Sequence, residues 1–163
     1  VPEGLAKTRV HGDYHLGQLL VAKGDILILD FEGEPLRSLE ERRAKGSPAK
    51  DVAGMLRSFD YAAWAGVFRF AESDPAALDQ LLPTALGWRS LAQAALMEGY
   101  REAIGDAPSW PADKGEADRL VRLFTIQKVF YEVAYEAGNR PAWLRIPLSG
   151  ILDLFGNDRR QEQ

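Results

Sequence analysis

Asp13, Gln18 and Asp30 are the side chains in this chain best suited to do chemistry. They lie in two short segments, His11-Gly12-Asp13-Tyr14-His15-Leu16-Gly17-Gln18 and Leu29-Asp30-Phe31-Glu32. An aspartate can take or direct the proton of an attacking hydroxyl. An amide oxygen and a second carboxylate are hard donors of the kind magnesium takes, usually sharing the ion with substrate phosphates. Phosphoryl transfer asks for little more, because its loose transition state spreads charge over peripheral oxygens and needs position and countercharge rather than covalent help. Gly and Asp are also ordinary turn formers, so either segment alone would carry little weight.

The intervening residues position the two segments. Gln18-Leu19-Leu20-Val21-Ala22 and Ile26-Leu27-Ile28-Leu29 are short apolar runs around Lys23-Gly24-Asp25, which is turn chemistry for a β-hairpin that brings Gln18 near Asp30. The layout repeats the His-x-Asp-x-x-x-x-Asn loop and downstream Asp-Phe-Gly of protein kinases. Gln18 stands at the Asn position, one methylene longer, and Glu32 stands at the Gly position. Asp13 is then the catalytic residue, with Gln18 and Asp30 as metal ligands. His15 could bond an acceptor hydroxyl, and His11 holds the loop from inside. Neither histidine has the companions of a zinc site. Glu32 could contact metal or sugar.

Helices supply the frame. Ser47-Pro48 reads as a cap and first turn, after which Val52, Met55, Leu56 and Phe59 mark one helical face. Before it, Leu36 to Lys50 is charged and irregular, with Arg42 and Arg43 read mainly as solvated surface. Asp51 in the first turn either complements the helix dipole or supports the catalytic loop. Trp64, Phe68 and Phe70 read as packing groups. Ser73 to Pro83 reads as a linker, Leu86 to Ile104 as a helix stopped by Gly105, and Asp106 to Gly115 as a surface connection. The longest helix runs from about Glu116 to Ala137, closed by Gly138, with Ile126, Val129, Phe130, Val133 and Ala137 as its buried stripe. Lys128, Tyr131, Glu132 and Tyr135 form a second stripe on another face. It reads either as a surface with a Lys128–Glu132 pair, or as a sugar platform in which tyrosine rings cover a glycosyl unit and the charged groups bond its hydroxyls.

Beyond the kinase layout, the chain resembles the bacterial maltokinases, members of the aminoglycoside-phosphotransferase-like kinases. The resemblance rests on Arg9 through Gln18, on Leu29-Asp30-Phe31-Glu32-Gly33-Glu34-Pro35, on Ser47-Pro48 with Asp51 through Ala62, and on Tyr131-Glu132 through Asn139-Arg140-Pro141. It implies ATP-dependent, magnesium-assisted phosphorylation of maltose to maltose 1-phosphate for α-glucan synthesis, with a trehalose synthase domain or partner. It also implies that Asp51 bonds the catalytic-loop backbone, and that Lys128, Tyr131, Glu132 and Tyr135 bind the acceptor. Only ten residues precede His11, too few for the lobe that covers the nucleotide. Residues 1–163 are accordingly expected to be the C-terminal lobe, with the N-terminal lobe absent.

Composition narrows the classes. A chain of 163 residues with net charge −4 and a pI near 5.3 suits one domain and disfavours nucleic acid, which calls for clustered Lys and Arg. Without cysteine there are no disulfides or thiolate metal sites, and a cytoplasmic location is expected. No apolar run approaches the ~20 residues of a membrane span, and no signal peptide is visible. The expected architecture is α+β, mainly α, a kinase-like C-terminal lobe with a small hairpin carrying the catalytic loop and an acceptor pocket between that loop and the long helix. An amino sugar or aminoglycoside is the alternative acceptor. A noncatalytic sugar-binding module within a trehalose synthase fusion is the alternative of another class.

Overall fold

The computed structural model describes residues 4–34 and 37–156, so Pro35 of the Asp-Phe-Glu-Gly-Glu-Pro stretch lies outside the described residues. The architecture is mainly helical with one small sheet. A 3-10 turn, Leu16–Gln18, leads into β1, Leu19–Ala22, which pairs antiparallel with β2, Asp25–Ile28, in the register Leu19 opposite Ile28 through Ala22 opposite Asp25. Lys23 and Gly24 connect them with φ of 53° and 82°, the left-handed pair that matches hairpin twist. Five helices follow: α1, Leu39–Arg43; α2, Ala49–Ala71; α3, Ala77–Ile104; α4, Lys114–Asn139; and α5, Arg145–Gly156, preceded by a 3-10 turn at Pro141–Trp143. Among the described residues, no helix is long and apolar enough to cross a membrane.

The chain divides into two compact units, Val1–Leu56 with Ile104–Thr125, and Arg57–Ala103 with Ile126–Gln163. The interior of the first is mostly apolar, with His11, Glu34 and Ser47 as buried polar residues among those described. Ala49, Val52, Ala53 and Met55 of α2, Trp110, and Ala117, Leu120 and Val121 of α4 are all buried there. The connection from Asp106 to Gly115 is therefore more than a surface loop. Trp110 and Pro111 are buried, and the Pro108 carbonyl accepts a bond from Ala6 N at 2.9 Å. The charged stretch before α2 is partly ordered as well. α1 forms there on a reciprocal cap, Ser38 accepting from Glu41 N while the Glu41 carboxylate accepts from Ser38 N.

The interior of the second unit is mixed. Ala63, Trp64, Val67, Val129 and Ile146 are buried, and so are Arg57, Asp60, Glu132 and Glu136. Three helix expectations change here. α3 starts at Ala77 and carries Pro83 inside it. Pro83 is exposed, so the carbonyl left without its N–H partner can be hydrated. Gly138 does not end α4, which runs to Asn139. The Asn139 amide donates to the Tyr135 carbonyl at 2.8 Å and Arg140 N donates to the Glu136 carbonyl at 2.9 Å, so the helix end needs no left-handed residue. Of the stripe Ile126, Val129, Phe130, Val133 and Ala137, only Val129 is fully buried, and Phe130 is 56% exposed. Glu132 and Glu136 take the inner face instead. Of the aromatic packing groups on α2, Trp64 is buried and Phe68 packs against Trp64 and Trp143, but Phe70 is exposed.

Candidate active site

In the first unit, the loop from His11 to Gln18 is fixed by a single carboxylate. Asp51, in the first turn of α2, accepts from His11 N at 2.7 Å through Oδ2 and from Gly12 N at 2.9 Å through Oδ1. Such charge-assisted bonds contribute about 1.5–3 kcal/mol each. Ser47 Oγ accepts from Ala49 N and starts the helix that presents Asp51. Gly54, one turn further on, lies so close under the loop that a Cβ there would stand 2.6 Å from the Tyr14 carbonyl oxygen. Burial first, and the Asp51 charge second, push the Tyr14 phenol above its ordinary pKa.

His11 joins the two chemical segments. Its Nε2 is 2.7 Å from the Leu29 carbonyl, and its Nδ1 is 3.3 Å from Asp13 N. A carbonyl can only accept and an amide N–H can only donate, so the ring carries its proton on Nε2. One buried imidazole thereby spans from Asp13 to the residue preceding Asp30. Phe31 and Tyr14 close over it, with ring centroids at 4.9 and 5.4 Å. Gly12, at φ +88°, abuts Gly33, at φ +78°, and a Cβ on Gly12 would stand 3.2 Å from Gly33 Cα. These two glycines let the loop and the segment after β2 approach closely.

The hairpin aligns the other two groups. Leu29 N donates to the Gln18 carbonyl at 2.9 Å, extending the ladder by one pair and leaving Asp30 just beyond it. Gln18 Nε2 donates to Asp30 Oδ2 at 3.1 Å. Asp30 is held at φ 59°, a left-handed conformation that Asp tolerates better than most residues and that concentrates at functional sites. Among the described residues, no group of three or more His, Cys, Asp or Glu could hold a metal ion. The Gln18–Asp30 pair instead fits an ion completed by nucleotide phosphates and water, the usual arrangement for magnesium.

The remaining sequence-derived residues divide. His15 caps the 3-10 turn, its Nδ1 accepting from Gly17 N at 3.1 Å, and turns Nε2 toward Asp13 Oδ2 at 3.8 Å. Glu32 is exposed and lies 3.8 Å from Arg42, a residue that also packs its stem against Gly33. Arg42 therefore braces the segment after β2, which its charged neighbourhood in the sequence did not signal.

In the second unit, the stripe on α4 is only partly a joint surface. Tyr131 and Tyr135 stack with centroids 6.3 Å apart, and Lys128 Nζ sits 5.0 Å from the Tyr131 ring centre. Glu132 turns inward. Its Oε2 accepts from Arg57 Nε and Nη2 at 2.9 and 2.8 Å, so its main counterion is Arg57. Burial nevertheless pushes the Glu132 carboxyl up, against the opposing pull of Arg57. Arg57 also meets Asp60 at 3.1 Å, and Asp60 meets Arg89 at 2.8 Å, which reaches Asp153 at 2.7 Å. Glu136 accepts from the Tyr61 hydroxyl and from Arg140. Sequence reasoning missed Arg57, Asp60 and Glu136. Their only signal was charge inside otherwise apolar helical stretches.

No family model matches the chain. It is 32% identical over 146 residues to a glucosamine kinase of Streptacidiphilus jiangxiensis, and 32% identical over 149 residues to a glucosamine kinase of Mycolicibacterium smegmatis. Those matches take in 90% and 88% of this chain but 31% and 34% of the relatives, so the chain spans about a third of the length of the curated relatives it matches. A structure of glucosamine kinase in complex with glucosamine, ADP and inorganic phosphate matches with a TM-score of 0.75 at 30% identity, over 93% of this chain and 36% of that one. A second crystal form matches with a TM-score of 0.76 at 29% identity, over 94% of this chain and 36% of that one. The relatives are amino-sugar kinases. That overturns the maltokinase reading, and with it maltose, maltose 1-phosphate, α-glucan synthesis and trehalose synthase, none of which rested on anything else. The fold agrees with expectation, a mainly helical lobe of a kinase-like fold with a two-stranded sheet.

Proposed function

We propose that this chain is the catalytic-loop and acceptor-binding lobe of an ATP-dependent amino-sugar kinase. The carrying observation is the shared support of Asp13 and the Gln18–Asp30 pair by Asp51 and His11, in a chain similar over nearly its whole length to parts of glucosamine kinases. In this reading an acceptor hydroxyl attacks the γ-phosphorus of ATP. The bond to the β–γ bridging oxygen breaks and ADP leaves. The hydroxyl proton passes to the Asp13 carboxylate and on to solvent. His15, whose Nε2 lies 3.8 Å from Asp13 Oδ2, stands beside that carboxylate where it bonds the acceptor hydroxyl. Gln18 and Asp30 would hold magnesium together with the nucleotide phosphates, and the ion would supply countercharge there. Lys128, Tyr131, Glu132 and Tyr135 supply acceptor contacts, and Glu32, exposed beside Arg42, is available to metal or sugar.

The test is ADP release by the full-length protein, with ATP and magnesium, against glucosamine, glucose, maltose and an aminoglycoside. Turnover that prefers glucosamine supports the reading. Turnover that prefers maltose or the aminoglycoside, or none with any sugar, rejects it.

A further inference from the structure

Both hydrogen bonds that Glu132 accepts from Arg57 fall on Oε2. Among the described residues Oε1 accepts none, yet it is not among the fully enclosed polar atoms left without a partner. Resting on the amino-sugar reading, we infer that Arg57 is a positioning residue for the acceptor: it fixes one oxygen of Glu132 and leaves the other free for a hydrogen-bond donor on the sugar.

Three observations carry this. Arg57 is only 2% exposed, so its own guanidinium cannot meet a substrate and must act through another side chain. Its orientation is determined from several sides. Nε and Nη2 go to Glu132, Nη1 goes to Asp60, and Gly150 of α5 leaves room for the guanidinium that a Cβ would take away. Asp60 is held in turn by Arg89 and Gln93, so the counterion of Arg57 is itself fixed. A carboxylate aimed this way loses little freedom on binding, which is what a site with a few placed polar groups requires. A purely structural ion pair has no need of a single-oxygen arrangement, because a guanidinium fork commonly engages both carboxylate oxygens.

The experiment uses the full-length protein and steady-state kinetics with glucosamine and ATP. Arg57→Lys keeps the charge but cannot form both bonds to one oxygen. Gly150→Ala presses on the guanidinium without touching any charge. Each is expected to raise the glucosamine KM about tenfold, with ATP KM and kcat within about twofold of wild type. In a Glu132→Gln background, Arg57→Lys should add less than about twofold further. An unchanged glucosamine KM in both single variants overturns the inference. So does an equal rise in both KM values, or a full additional effect in the Glu132→Gln background. Wild type that turns over no amino sugar overturns the proposed function and this inference with it, whereas active wild type with KM unmoved by these variants overturns the inference alone.

Discussion

Each unit holds a candidate site carboxylate in place, Asp13 in the first and Glu132 in the second, and the two do so by different means. In the first, Asp51 binds two backbone N–H groups, His11 bridges two chain segments, and the surroundings are apolar side chains from α2 and α4. In the second, Glu132 is held by a side chain that is itself held by other charged side chains, in an interior shared among Arg57, Asp60 and Glu136. Backbone donors stay put when a side chain changes, so the first arrangement is robust to substitutions outside its few members. The second is a chain of dependencies. Removing one link leaves a buried charge uncompensated.

That contrast can be broken most directly at Arg57. Arg57→Met should destabilise the protein by about 3–5 kcal/mol, the cost of stranding buried carboxylates, measured as a lower urea midpoint with unchanged slope. A loss under about 1 kcal/mol would mean the network is hydrated and the contrast is false.

Chemistry should respond in the opposite place. Asp13→Asn in the full-length protein should lower kcat by at least about 10²-fold, with glucosamine KM and urea midpoint little changed. Near-normal turnover would remove Asp13 from the mechanism.

Two glycines of α2 sharpen the comparison, since Gly54 falls in the first unit and Gly66 in the second. Gly54→Ala should lower stability by about 1–3 kcal/mol, because the new methyl meets the Tyr14 carbonyl rather than a side chain able to move. It should also slow turnover by disturbing the loop next to Asp13. Gly66 has nothing within 4 Å of a Cβ, so Gly66→Ala should raise stability by about 0.5–1 kcal/mol through helix propensity alone. Thermal or urea denaturation of the pair decides it, and the same sign at both sites would contradict the packing described for Gly54.

A similarly small effect is expected at the α4 tyrosines. Tyr135 is 38% exposed and lies over Tyr131 and Arg140. Tyr135→Ala should weaken glucosamine binding by about 0.5–1.5 kcal/mol, the size of a ring contact, and leave ATP binding unchanged in calorimetric titration. Unaltered glucosamine binding would remove Tyr135 from the acceptor contacts.

Legibility followed the same division. The hairpin, the approach of Gln18 to Asp30, and the start of α2 at Ser47-Pro48 were readable because each is set by local rules: turn chemistry, strand alternation and helix capping. The inner face of α4 was not. A helix bearing Phe130 and Val133 on one side and Glu132 and Glu136 on another gives little local reason to bury the acids. The arrival of Arg57 and Tyr61, each 75 residues away in the chain, reverses the preference, and Arg140 one turn on completes the cover of Glu136. Pro83 and Gly138 misled for a related reason. Hydration of an exposed carbonyl, and a side-chain bond from Asn139, stand in for the breaks those residues usually impose.

By itself, the sequence determined which atoms can do chemistry and how near one another they must lie, because Asp13, Gln18 and Asp30 are separated by a tight turn and a hairpin whose geometry short-range sterics fix. Only the tertiary structure decided which charges are buried and which oxygen of Glu132 stays open. Those depend on partners some 75 residues away in the chain, and pairing at that range is set by packing rather than by anything a local pattern records.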